Sequence, residues 1–323
     1  MPMNRRTLLG SLLGLGVAGT AGTGASLLGA APAYALDGAP ARTASPRQAP
    51  TQEFAVGVRE FHWNRGDRQL FTKVFYPAAG SPGGVPIPDA PLADGVFPVC
   101  EWSHGLGGNS DSYGSQTHAA ASAGFVVPAP TFPASSPQEV YNGNQSRDVS
   151  EVITRTLALN DTSGGPFAGR IDTAAGVGVA GHSLGGMTTH GLLTAWPDDR
   201  IVAAVPVACV DMGDPAGQVD ANVLFIHGDR DGTCPYSSAR QAYEELRAPK
   251  AFLTHLGADH GSYLVPDFPT FSQTQNTFLD WLRWSLYGDT AARDRLAGDA
   301  SAPGTSWEAA LAARTHRTSG KHN

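Results

Sequence analysis

Along most of this chain, short runs of apolar residues alternate with longer stretches whose apolar positions recur at helical spacing. The runs Val96–Trp102, Gly124–Pro128, Gly176–Ala180, Ile201–Ala208, Val223–Ile226 and Phe252–Leu256 read as strands buried on both faces. Between and after them, Asp111–Ala123, Arg147–Asn160, Leu184–Ala195, Ser237–Leu246 and Gln273–Tyr287 read as helices. That alternation is the signature of a parallel sheet with crossover helices, an α/β fold. Upstream, two strand-like runs, Phe54 to Trp63 and Gln69 to Tyr76, flank Asn64-Arg65-Gly66-Asp67, whose turn chemistry predicts a hairpin. With the hairpin the sheet should hold about eight strands. The proline- and glycine-rich segment Gly80 to Gly95 reads as a surface loop. In the last helix Phe278, Leu279, Trp281, Leu282 and Leu286 form an apolar stripe that suits core packing. Beyond Gly288 the pattern fades, so residues 289–323 are expected to be a weakly ordered tail, with the folded domain spanning 53–288.

The N-terminus obeys a different pattern. Asn4-Arg5-Arg6-Thr7-Leu8-Leu9 precedes an uncharged stretch rich in Gly, Ala and Leu that ends in Ala33-Tyr34-Ala35, a small-x-small cleavage site. Residues 1–35 are therefore expected to be a twin-arginine export signal, and 36–52, rich in Ala, Pro and Arg, a flexible leader. The predicted location is extracellular, with no stable membrane insertion after cleavage. Losing Arg5 and Arg6 takes the net charge from −7 to −9, which argues against a nucleic-acid partner. Three cysteines, Cys100, Cys209 and Cys234, are too few for a disulfide scaffold. Cys209 and Cys234 both follow predicted neighbouring strands, so a bridge between them is sterically open. At 323 residues the chain can bury a full core.

The chemistry concentrates in Gly181-His182-Ser183-Leu184-Gly185-Gly186, directly after a predicted strand. A serine flanked by glycines at a strand-to-helix junction is a nucleophile elbow, where the strained turn exposes the hydroxyl. Serine needs a histidine to take its proton, and that histidine needs a carboxylate to fix its tautomer. His227-Gly228-Asp229-Arg230-Asp231 supplies two carboxylates, Asp229 and Asp231, after one strand, and Gly257-Ala258-Asp259-His260-Gly261 supplies a histidine after the next. Asp211 is a more distant acid, and His255, inside a predicted strand, a rival base that reads more simply as a structural histidine. The order Ser, Asp, His is that of the α/β-hydrolases. The backbone amide of Leu184, opening the elbow helix, is one expected oxyanion donor. His104 and His182 flank the site and are expected to bond loop backbone. Gly176 to Gly181 matches GxGxxG but runs through a strand, so no dinucleotide cofactor is expected. His227, Asp229 and Asp231 are better explained by catalysis than by a metal, and no metal is expected.

GHSLGG, the upstream Ser103-His104-Gly105-Leu106-Gly107-Gly108, the HGDRDGTCP turn and GADHG together resemble the α/β-hydrolase family over about residues 53 to 287. The chain is most similar to secreted bacterial esterases and lipases grouped with dienelactone-hydrolase-like, platelet-activating-factor-acetylhydrolase-like and cutinase-like polyester hydrolases. That resemblance implies Ser183 as nucleophile, His260 as base, and Asp231 over Asp229, because the family carboxylate precedes a short segment ending in proline, here Pro235. It also implies Leu106 as the second oxyanion donor. In similar polyester hydrolases, aromatic residues clamp the acyl part at positions held here by Leu106 and Val210, a departure that favours short or medium acyl esters. The connection Cys209 to Ala221 is short, so no large cap domain is expected and the cleft should be open to small-molecule, lipid or polymer esters. In the long loop Ala129 to Gln145, Phe132 is the candidate pocket wall. The expected protein is a monomeric, secreted serine ester hydrolase with no cofactor. The alternatives are a serine peptidase or other acyl-transfer enzyme, and a non-catalytic binding protein.

Overall fold

The computed structural model describes residues 48–214, 220–247 and 249–312. The expected export signal, most of the leader, part of the Cys209 to Ala221 connection and the end of the tail lie outside the described residues. Strands β1 (Ala55–Arg65) and β2 (Arg68–Ala78) form the predicted hairpin, paired over their whole length so that only Gly66 and Asp67 remain in the turn. Gly66 adopts φ +58, the left-handed conformation that a two-residue hairpin loop requires. The two-residue β3 (Ile87–Pro88) lies parallel to β1. The central strands are β4 (Val99–Ser103), β6 (Val177–His182), β7 (Ile201–Val207), β8 (Asn222–Gly228) and β9 (Lys250–His255), all parallel in the order β4-β6-β7-β8-β9. Strand β5 (Val127–Thr131) pairs with β2 and is stitched to β4 by the bridge Val99↔Val126, which joins hairpin and central strands.

Strand residues alternate between two cores, as a sheet covered on both faces requires. On β8, Val223 and Phe225 join one cluster, while Leu224 and Ile226 join the other. The first cluster also takes Val149 and Ile153 of α3 (Asn144–Ala158), Met187 of α4 (Leu184–Gly191) and Tyr243 of α5 (Tyr236–Glu245). The second takes Ala120 and Ala121 of α1 (Gly114–Ser122) and Phe278, Trp281 and Leu282 of α6 (Phe271–Leu282). Each large apolar side chain so buried is worth about 1.5–3 kcal/mol. The fully buried Trp281 also donates its indole N–H to the Asn222 carbonyl.

Three expectations are corrected. The segment 289–312 is not weakly ordered. Asp289 caps α7 (Thr290–Asp299) by accepting from the Ala292 amide, Leu296 is fully buried, and β10 (Thr305–Ala310) pairs antiparallel with β9 from Thr305↔His255 to Ala310↔Lys250. The polar, alanine-rich composition hid a strand whose energy comes from backbone pairing at a sheet edge and from the half-buried Trp307. With β3 and β10 the described residues hold ten strands rather than about eight. The loop Ala129 to Gln145 contains α2 (Pro137–Tyr141), because Ser136 accepts from the Glu139 amide and Pro137 starts the first turn.

Candidate active site

The C-terminal ends of the parallel strands, where α/β sheets place their ligand sites, bring the predicted residues together. Ser183 follows β6 and precedes α4, with φ +60 and ψ −120, a conformation that non-glycine residues adopt only under strain. The Ser183 amide donates to the Val207 carbonyl, and its own carbonyl accepts from Met187. The elbow can close only because Gly185 has no side chain: a Cβ there would collide with the Ser103 carbonyl.

Ser183 Oγ lies 2.8 Å from His260 Nε2, and His260 Nδ1 lies 2.7 Å from Asp231 Oδ2. A carboxylate oxygen accepts, so Nδ1 carries the proton and Nε2 is free to accept from the serine hydroxyl. The Asp231 side chain is fully buried, and its Oδ1 accepts the Thr233 and Cys234 amides at 2.8 Å each. Burial alone would raise its pKa. The hydrogen bonds from His227, His260 and the two amides outweigh burial and hold the carboxyl well below the usual range, so it stays ionised.

The rival residues are engaged elsewhere. Asp229 accepts the Gly257 amide at 2.6 Å, and Asp211 accepts from Gly213 and Gln241. His255 is fully buried, bonded to Thr270 and Thr274 and stacked on Tyr263, and burial lowers its pKa to about 3. His104 and His182 bond loop backbone: His104 Nδ1 donates to the Gly105 carbonyl and its Nε2 accepts the Phe132 amide, while His182 Nε2 donates to the His260 carbonyl.

Leu184 heads α4, where the first helical N–H groups have no intrahelical acceptor and the dipole is positive. Leu106 follows Gly105, whose Cα packs against Ser183 so closely that a Cβ would lie 3.2 Å from the serine Cβ. Gly105 therefore brings the start of the Leu106 loop against the nucleophile, and the Leu106 side chain is exposed. Phe132 is nearly buried and packs against the His104 ring. It lines, with His62, Trp63 and Phe71 of the hairpin, a cavity of about 430 Å³. Val210 is half-buried against the core that holds α4. Cys100, Cys209 and Cys234 are free and buried, and the open possibility of a Cys209–Cys234 bridge is not realised.

Two residues take parts that the sequence did not assign them, His227 having been weighed only as a metal ligand. His227 Nε2 donates to Asp231 Oδ2 at 3.1 Å and to the Cys234 carbonyl at 3.0 Å, so it braces the acid. Its spacing, four residues before Asp231 at a strand end, was the available signal. Tyr113 hydrogen-bonds His182 at 2.8 Å, and nothing in its sequence setting marks it.

Comparison with known proteins places this constellation in a family. A stretch of 75 residues is 32% identical to the uncharacterized protein YqkD of Bacillus subtilis (strain 168). That stretch covers 23% of this chain and spans only 23% of the relative's length. Residues 99–307, more than half of the chain, match the family described as PET hydrolase-like, and the match contains the elbow, the acid turn and the histidine loop. The chain belongs to the PET hydrolase-like family, an α/β-hydrolase family.

Proposed function

We propose that this protein is a secreted, monomeric serine hydrolase that cleaves short and medium acyl esters through an acyl-enzyme on Ser183. The observation that carries the reading is the unbroken hydrogen-bonded line from Ser183 through His260 to the ionised Asp231. Ser183 Oγ attacks the ester carbonyl as His260 Nε2 takes its proton, and Asp231 stabilises the imidazolium that forms. The Leu106 and Leu184 amides receive the oxyanion, a contribution of about 3 kcal/mol for each donor. Collapse of the tetrahedral intermediate expels the alcohol, protonated by His260, and water then repeats the sequence to release the acid. No cofactor is required.

The family name points to polyesters. Leu106 and Val210 stand where similar polyester hydrolases carry aromatic clamps, which favours smaller, aliphatic acyl groups. Export is supported by Arg5-Arg6, the uncharged stretch after them and Ala33-Tyr34-Ala35. Among the described residues no helix is long and apolar enough to cross a membrane.

The test is hydrolysis of p-nitrophenyl esters from acetate to palmitate by the chain starting at Leu36, beside Ser183→Ala. Activity should peak at short or medium chains, and the variant should lose about 10⁶-fold in kcat. A long-chain optimum would move the reading to a lipase. Absence of ester cleavage, together with failure of a phosphonate to label Ser183, would overturn it.

A further inference from the structure

The proposed reaction depends on two loops from different strands: the loop after β4, which presents the Leu106 amide, and the loop after β9, which presents His260. Asp231 holds the imidazole of His260 from the side, but the height of the ring over Ser183 is set by where the loop backbone stands. Two side chains span the gap between these loops. Tyr113, just ahead of α1, accepts the Gly105 N–H at 3.3 Å and contacts His182 Nδ1 at 2.8 Å. On the far side of the same ring, His182 Nε2 lies 2.6 Å from the His260 carbonyl oxygen.

The direction of this line follows from its ends. A carbonyl only accepts, so His182 Nε2 carries the proton; burial keeps the ring neutral, with a pKa lowered to about 4, so Nδ1 must accept from the tyrosine hydroxyl. The rings are packed as well as bonded, with centroids 5.6 Å apart for Tyr113 and His182 and 4.7 Å for His182 and His260. Each loop also carries a glycine where this line leans on it. A Cβ on Gly105 would lie 3.0 Å from Tyr113 Oη, and a Cβ on Gly261 would lie 3.2 Å from His182 Nε2. Every hydrogen bond at the two ends goes to backbone and none to the reacting side chains.

We infer that Tyr113 and His182 are positioning residues, a strut that ties the oxyanion loop to the backbone of the histidine loop. The strut keeps amide donors and general base at a fixed separation around Ser183. This inference rests on the ester-hydrolase reading above.

The experiment measures kcat and KM separately on p-nitrophenyl butyrate, with melting temperatures, for wild type, Ser183→Ala, Tyr113→Phe, His182→Gln and His182→Leu. Tyr113→Phe removes one oxygen. It should lower kcat at least tenfold with KM within about threefold, since a displacement of about 1 Å among catalytic groups can cost on the order of a hundredfold. His182→Leu should lose as much while still unfolding in one cooperative transition, somewhat below wild type because two buried hydrogen bonds are lost. His182→Gln, whose amide can still donate to the His260 carbonyl, should recover most of the loss. If Tyr113→Phe stays within twofold of wild type, or if Gln and Leu at position 182 lose activity equally, the strut does not position the site. Should His182→Leu fail to fold, Tyr113→Phe alone decides. If wild type cleaves no ester, or Ser183→Ala remains active, the functional reading falls and takes this inference with it; an active wild type and inactive Ser183→Ala beside a Tyr113→Phe variant of undiminished kcat overturn the strut alone.

Discussion

Asp231, in the turn after β8, and Glu101, in the middle of β4, are both fully buried carboxylates on the same sheet, yet they are driven in opposite directions. Asp231 accepts from His260, His227 and the Thr233 and Cys234 amides, and its pKa falls. Glu101 Oε1 accepts from Ser103 Oγ at 2.7 Å, while Oε2 has no partner. Burial, opposed only by that one bond, pushes Glu101 up to about 8, so at neutral pH it is a protonated acid within the core. The desolvation of a carboxylate is common to both sites. The number of donors decides which form survives it.

The largest effect should come from disturbing the well-supplied member. Asp231→Asn keeps the shape but presents an amide where His260 Nδ1–H needs an acceptor, so the imidazole turns to the wrong tautomer. The expected loss is on the order of 10⁴-fold in kcat at neutral pH, with Ser183 labelled far more slowly by a phosphonate. Activity within tenfold of wild type would mean that Asp231 does not orient His260. The stability that Asp231 contributes is present above its unfolded pKa, near 3.9, and is lost as pH falls toward its depressed folded value. The asparagine variant should lack that acid-side loss.

Glu101 has the opposite linkage. Folded, it keeps its proton to about pH 8, whereas unfolded it releases it near 4.5, so stability falls as pH rises between those values. Buried histidines oppose it on the acid side. His182, His190 and His255 are held by burial to about 4, 4 and 3, so the unfolded chain takes up protons below about pH 6.5 that the folded chain refuses. Asp299, raised by burial and by Asp280 to about 6, adds to the carboxylate side only below that pH. Stability should therefore peak near pH 7, where the unfolded histidines have largely given up their protons, and then fall by on the order of 0.5 kcal/mol toward pH 8, the histidines offsetting part of the Glu101 loss. Glu101→Gln should flatten that alkaline limb in denaturant titrations at several pH values. A limb of unchanged slope would assign it to another group.

Asp231 was legible and Glu101 was not, and the reason is physical. Ser183, Asp231 and His260 stand in motifs because a strained elbow and tight turns demand glycine and proline at fixed offsets, and these punctuate the sequence. The central strands were visible for a similar reason, since burial on both faces forces continuous apolar runs such as Val223–Ile226. A lone glutamate in Val99–Ser103 carries no such mark, because its consequence depends on what the facing helices fail to offer. Asp148 is another example. It is fully buried on α3 and joined to Arg65 at 2.8 Å and Arg68 at 2.6 Å, which pins the hairpin to the domain across some eighty residues of chain. Strand β10 was hidden because edge pairing asks little of side chains, and Thr305–Ala310 has only Trp307 to announce it.

The finest probe of the contrast is Ser103→Ala, which takes from Glu101 its single donor. Losing that bond should cost about 1 kcal/mol. More telling is the pH range: the Ser103 bond favours the ionised carboxylate, so without it Glu101 should stay protonated beyond pH 8 and the alkaline limb should extend upward. Catalysis should change by less than about twofold, because only the Ser103 side chain is altered and it is the backbone carbonyl of that residue that meets the elbow helix. Denaturation midpoints at pH 6, 8 and 9 would measure both effects. A limb that ends at the same pH in wild type and variant would show that one donor shifts the balance too little to matter. In that case the four donors of Asp231 act together as a network rather than as four additive steps.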